Sequence, residues 1–189
     1  MADAGRGSQP LVRTTSGRPF ACSPAAVLVY IIDAAERFLM LRHPQRSGWE
    51  VVNGALDAGE TVLDAVLREV AEEAGPDVKV APLGAAHVET FHYDDAVRFM
   101  LSISYVVAYE GGEIAPGDDM TGSDVGWFTV QELLDEDLDV LVPPYHRWLF
   151  ARTVELYRLW KDREVTLQPP LPEKAFNKYT LQDEGATEG

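Results

Sequence analysis

Glu69, Glu72 and Glu73 fall within five residues of one another, in a stretch, GALDAGETVLDAVLREVAEEAG over 54–75, that also holds Asp57, Glu60, Asp64 and one base, Arg68. At 3.6 residues per turn, Glu72 and Glu73 lie within about 60° of Glu69, so the three carboxylates share one helical face. Beside them runs an apolar stripe of Leu63, Val66, Leu67, Val70 and Ala74. Each like-charge neighbour pair on a helix costs about 0.2–0.5 kcal/mol, and more as water is excluded. One guanidinium projecting beside the cluster does not balance three carboxylates. A hard divalent cation does, because Mg²⁺ takes one or two carboxylates and completes its shell with water and substrate phosphate. Such an ion would also neutralise a pyrophosphate and polarise its phosphorus toward water. Taken alone, an acidic run of this kind is ordinarily only a solvated helix face.

The composition sets the same problem from the other side. Sixteen basic against thirty-one acidic residues give a net charge of -15, a field that repels nucleic acid, anionic lipid and free phosphates. Neither nucleic acid nor a membrane surface is expected as a partner, and a phosphate ligand needs a local counter-charge. With 189 residues, 46% of them apolar and 25% charged, the chain suits one globular domain with tails, burying about two thirds of its unfolded surface. A lone Cys22 and four scattered histidines argue against a disulfide framework, a zinc cluster or a cysteine nucleophile, and are compatible with a reducing, cytoplasmic setting. The run AAVLVYII over 25–32 is eight residues long, far short of the roughly 20 that span a bilayer.

Several elements must position the glutamates. Residues 1–23 are polar and acid-poor and read as a disordered leader. The domain is expected over 24–162, followed by an arm over 163–189 that either stays unordered or packs on a second copy, as in a homodimer. AAVLVYII and RFLMLRHP predict a β-hairpin turning through DAAE, and WEVVNGAL another extended piece. Thr61 with Asp64 makes a capping-box start for a helix from Thr61 to Ala74, stopped by Gly75 and Pro76. VKVAPLGAAHVETFHY and AVRFMLSISYVVAYE predict a strand pair turning at Asp94 and Asp95, and VGWFTV a short strand after an acidic, glycine-rich loop. A short helix near Gln131–Asp137 and a longer one from about Pro144 to Lys161 follow, the latter with Trp148, Val154, Leu156 and Leu159 as core contacts.

The spacing of the acidic stretch is more specific than its charge. Gly54, Glu60, Arg68, Glu69, Val70, Glu72, Glu73 and Gly75 fit one pattern in register: Gly, five residues, Glu, seven residues, Arg-Glu, an apolar residue, any residue, Glu-Glu, any residue, Gly. With about 6% usage per fixed position, a chance match is on the order of one in ten million. The pattern resembles the Nudix box, and the likeness reaches over about 24–137, nearest in style to bacterial ADP-ribose and nucleotide pyrophosphatases. The resemblance implies an α/β/α sandwich around a mixed central sheet. It also implies Mg²⁺- or Mn²⁺-dependent hydrolysis of a pyrophosphate in a nucleoside diphosphate linked to another group.

The resemblance further implies roles. Glu69 and Glu73 would be the principal metal ligands, Glu72 a further ligand or a base acting through water, and Arg68 the residue orienting them. Gly54 would free the backbone for the loop-to-helix turn, and Glu60 would brace that loop or reach the metal through water. A further acid would come from the loop before Trp127, with Asp124, Asp118 and Asp119 as candidates. Phe91, His92 and Tyr93 would either stack on a base or cap the sheet, and Gly54 would approach the phosphates. Two departures stand out: Pro76 follows the last glycine, and Val52-Asn53-Gly54 replaces the usual Pro-Gly-Gly. The text does not choose among ADP-ribose-like, dinucleoside polyphosphate and nucleoside triphosphate substrates. A catalytically silent binding module on this fold would lose one of the glutamates, and all are present.

Overall fold

The computed structural model describes residues 10–141 and 146–163. The β-branched, apolar run after Pro24 becomes the central strand of a six-stranded mixed sheet. This strand, β3 (Ala25–Ile32), runs parallel to β7 (Met100–Gly111) through eight residue pairs, Ala25↔Leu101 to Ile32↔Ala108. On its other side β3 pairs antiparallel with β5 (Val52–Ala55), from Ala26↔Ala55 to Val29↔Val52. It meets β4 (Arg37–Arg42) only at Ile32↔Phe38, just across the predicted turn. From there β4 diverges and pairs with β8 (Asp124–Thr129), while β6 (Lys79–Phe91) lies antiparallel to β7 at the opposite edge. The order is β6-β7-β3-β4-β8, with β5 on β3. The sheet therefore splits beside β5.

Alternation along β3 assigns the two layers. Val27, Val29 and Ile31 face one side with Val66 and Val70, while Tyr30 and Ile32 face the other with Leu149, Phe150 and Val154. Helices cover both faces, giving the expected α/β/α sandwich. On the second face Tyr30, Phe38 and Phe150 pack edge to face, with ring centroids 5.2 to 6.4 Å apart. No helix among the described residues is long and apolar enough to cross a membrane.

Helix α1 spans Val62–Glu69, and its Thr61 cap exchanges hydrogen bonds with Asp64 as the capping box predicts. Beyond Glu69 the helix widens: Val70–Ala74 is a π-turn, in which the Gly75 N–H donates to Val70 O at 3.2 Å. The apolar stripe differs from the expectation at Leu67, which is 41% exposed. The buried positions are Ala65, Val66, Glu69, Val70, Glu73 and Ala74, so Glu69 and Glu73 lie within the stripe rather than beside it. A short helix α2 (Val130–Leu134) precedes α3 (Trp148–Trp160). In α3 the expected contacts Trp148 and Leu159 are exposed, and Leu149, Phe150, Thr153, Val154 and Tyr157 form the buried face.

Outside the sheet, β1 (Leu11–Arg13) and β2 (Pro19–Ala21) form a hairpin with all its side chains exposed. Part of the expected disordered leader thus carries local structure. The Pro144 start assigned to the last helix and the arm beyond Arg163 lie outside the described residues.

Candidate active site

The geometry of the acidic stretch is set by β5, which lies against the end of α1. The Asn53 backbone N–H donates to Glu73 Oε2 at 2.8 Å. A Cβ built on Gly54 would overlap the Glu69 carboxylate. Gly54 sits inside a strand, paired with Val27, so the backbone freedom expected there is not what the position uses; it admits the Glu69 carboxylate directly against the strand.

Arg68 lies among the acids rather than beside them. Its Nε donates to Glu60 Oε1 at 2.8 Å, Nη2 to Glu60 Oε2 at 3.1 Å and to Ala55 O at 2.8 Å. Its Nη1 donates to Glu69 Oε1 at 2.7 Å and Glu72 Oε2 at 2.9 Å. Glu60 also accepts the Asp57 N–H at 3.0 Å and so ties the loop before α1 to the same guanidinium, whose hydrogen bonds hold its carboxyl below the usual carboxylate range. Arg68 is thus an orienting residue for Glu69 and Glu72, and its described bonds do not include Glu73.

Glu69 and Glu73 are each 6% exposed. Burial pushes the Glu73 carboxyl up to about 8; the Asn53 N–H opposes this, and the charges of Asp119, Glu69 and Glu50 add to it. Burial raises Glu69 as well, against the pull of Arg68. Glu50, which the sequence reading passed over, is a third buried acid; burial raises its carboxyl, although Arg46 Nη1 lies 2.9 Å from both its oxygens. Its signal in the sequence was an acid inside an otherwise apolar strand-like run, WEVV.

Carboxyl oxygens whose burial resists ionisation fit a hard divalent cation. Among the described residues no group of three acidic, histidine or cysteine side chains is already arranged to hold a metal. Arg68 bonds to both Glu69 and Glu72, and Glu72 is the more exposed of the two. Glu69 and Glu73 are the buried oxygen donors that would hold such an ion, with water and phosphate completing its shell.

The loop acids separate clearly. Asp124 opens β8 and is held by Arg42, whose Nε and Nη2 donate to Oδ2 at 3.1 and 2.5 Å. Asp119 lies on the single 3₁₀ turn Asp118–Met120, and its charge acts on both Glu73 and Glu50. That loop abuts the π-turn so closely that a Cβ on Gly117 would come within 2.9 Å of Glu72 O.

Next to the glutamates, on the α3 face of the sheet, is a cavity of about 520 Å³. Asn53 and Gly54 line it and also touch Glu73 and Glu69, so the cavity and the acidic centre share strand β5. Phe91 and Tyr93 line it too, with ring centroids 6.3 Å apart. His92 is exposed and is not among the lining residues. Leu28 and Met100 supply apolar surface, and Ser102 and Glu89 a polar patch.

Comparison with known proteins agrees with this geometry. The chain is 28% identical over 130 residues to an ADP-ribose pyrophosphatase of Methanocaldococcus jannaschii, covering 66% of this chain and 75% of that protein. It is 32% identical over 112 residues to an NAD-capped RNA hydrolase of Vibrio parahaemolyticus, covering 56% of this chain but only 39% of the relative. Among solved structures, a MutT protein from Methanosarcina mazei superposes with a TM-score of 0.56 at 22% identity, over 70% of this chain and 94% of that one. An ADP-ribose pyrophosphatase from Streptococcus suis gives 0.57 at 19%, over 72% and 93%; both structures share the fold. The NUDIX domain model matches residues 23–149, and with the box glutamates gathered as described, the chain belongs to the NUDIX domain family.

Proposed function

We propose that this NUDIX pyrophosphohydrolase cleaves the pyrophosphate bond of a nucleoside diphosphate linked to another group, of the ADP-ribose kind, with Mg²⁺ or Mn²⁺. The observation that carries this reading is the buried pair Glu69 and Glu73, whose carboxylates meet Gly54 and Asn53 of β5, the strand that also lines the cavity. Glu69 and Glu73 would hold the cation, which when bound neutralises the pyrophosphate and polarises phosphorus. The remaining work falls to the chain's own residues. Arg68 fixes the rotamers of Glu69 and Glu72. Glu72, less buried than Glu69 and Glu73, would take the proton as a water oxygen bonds to phosphorus and the bridging P–O bond breaks. Asp119 has more support than Asp124 as the loop acid, because its charge reaches Glu73. Phe91 and Tyr93 offer ring faces to a base.

The Methanocaldococcus relative's activity on ADP-ribose supports this substrate class. Several relatives act on NAD-capped RNA, but the chain spans 38 to 51% of their length, and a net charge of -15 disfavours a polyanion. A panel of ADP-ribose, dinucleoside polyphosphates, NAD and nucleoside triphosphates with Mg²⁺ or Mn²⁺ tests the reading. Release of a nucleoside monophosphate from ADP-ribose is expected. Inactivity across the panel would leave the silent binding module as the better reading.

A further inference from the structure

The cavity beside the glutamates is acidic where a phosphate-binding pocket would be basic. None of its described lining residues is Lys or Arg, and Glu50 and Glu89 are both among them. Arg46 engages Glu50 in a bidentate contact. Glu89 is different. It projects from β6 opposite Ser102 of β7, which is 3% exposed and also lines the cavity. His146 Nε2 lies 2.8 Å from Glu89 Oε2, and His87 Nε2 lies 3.8 Å from the same oxygen. Both contacts are to Oε2, which fixes the carboxylate through that one oxygen.

An anchored carboxylate next to a buried hydroxyl, on an otherwise apolar floor below two aromatic rings, accepts hydrogen bonds from O–H and N–H groups and repels anions. Resting on the reading of this site as that of a pyrophosphohydrolase, we infer that Glu89 is its specificity-determining residue. It selects nucleoside diphosphates whose cavity-bound group is uncharged or cationic, a sugar diol, an amino-bearing base or a pyridinium ring, and excludes those carrying a further phosphate there. The pyrophosphate itself stays outside this selection, because it lies toward Glu69 and Glu73 at the other side of Asn53 and Gly54.

Calorimetric binding with Ca²⁺ in place of Mg²⁺ or Mn²⁺, a divalent ion that neutralises the pyrophosphate with looser ligation, separates this selection from catalysis. The probes are ADP-ribose and ADP-ribose bearing one extra phosphate on either ribose. The wild type is expected to bind the form whose phosphate enters the cavity roughly tenfold or more weakly, as one added like charge at short range requires. Glu89→Gln keeps the shape and the acceptor for His146 but removes the charge, and should close the ratio to about threefold or less. Val97→Lys, at the partly exposed edge of the lining, should shift preference toward the phosphorylated form independently. An unchanged ratio in Glu89→Gln, or equal binding of all probes by the wild type, overturns the inference whatever the turnover. Selective binding that Glu89→Gln abolishes, without turnover under Mg²⁺ or Mn²⁺, supports it while defeating the hydrolase reading.

Discussion

Gly54 and Glu69 share one space: the strand residue has no Cβ, and the helix residue's carboxylate fills the volume a Cβ would take. The obstructing atoms are the far end of a flexible side chain, so a methyl group at 54 can be accommodated by moving the carboxylate. Gly54→Ala is accordingly expected to keep its melting temperature within a few degrees while turnover falls about 100-fold, the scale of an ångström-sized misplacement of a catalytic group. Comparing thermal melts with kcat/KM checks this. A large loss of stability with normal specific activity of the folded fraction would show that Gly54 serves the fold alone.

Glu73 links stability to pH and metal. Its folded-state value, about 8, lies above the unfolded 4.5, so its stabilising contribution is fully present below about 4.5 and is lost as pH rises toward 8. In chelator the melting temperature should therefore fall over that window, and Mg²⁺ should restore most at the alkaline end, where the carboxylate it binds is ionised. Glu73→Gln should flatten the chelator profile, remove the Mg²⁺ response and lower turnover by orders of magnitude. A chelator profile identical in the variant would refute the assignment.

Arg68 distributes one guanidinium over Glu60, Glu69 and Glu72. A lysine carries the charge but not the fork, and cannot reach three carboxylates in one rotamer. Arg68→Lys should thus behave much like Arg68→Ala, each losing about 10- to 100-fold in metal affinity or turnover, as is usual when a residue orienting a ligand is removed. Metal titration followed by activity measures both. Full rescue by lysine would mean that only its charge matters.

Most elements were legible because local chemistry and tertiary context agreed: the Thr61–Asp64 cap, the Asp33–Glu36 turn and the β6–β7 pair all formed as read. The glutamates were legible through spacing alone. The helix faces were not, since an apolar side chain such as Leu67 or Trp148 scores as core wherever it falls, while the sheet decides which side is buried. In α1 and its π-turn the buried face included Glu69 and Glu73, against the expectation that charge marks solvent. Glu50 left a trace only as an acid in the apolar run WEVV, and Glu89 left none; their common role is visible only once the residues around β5, β6 and β7 enclose one space. Gly54 was found, but for the wrong reason, because a close approach between distant segments leaves no local trace.

The two loop acids provide a paired test. Asp119 raises Glu73 through its charge, so Asp119→Asn should make the chelator-dependent loss of stability smaller and complete at a lower pH, while its onset, set by the unfolded carboxyl, stays where it was. Turnover should fall as well if Asp119 takes part beside the substrate. Asp124 is 62% exposed on its side chain and bound to Arg42, so Asp124→Asn removes an exposed pair across β4 and β8 worth about 0.2–1 kcal/mol. It should leave the Glu73 profile where it was. The opposite result, with Asp124→Asn abolishing turnover and Asp119→Asn silent, would place the loop acid at 124 and require β8 to release Arg42 when substrate binds.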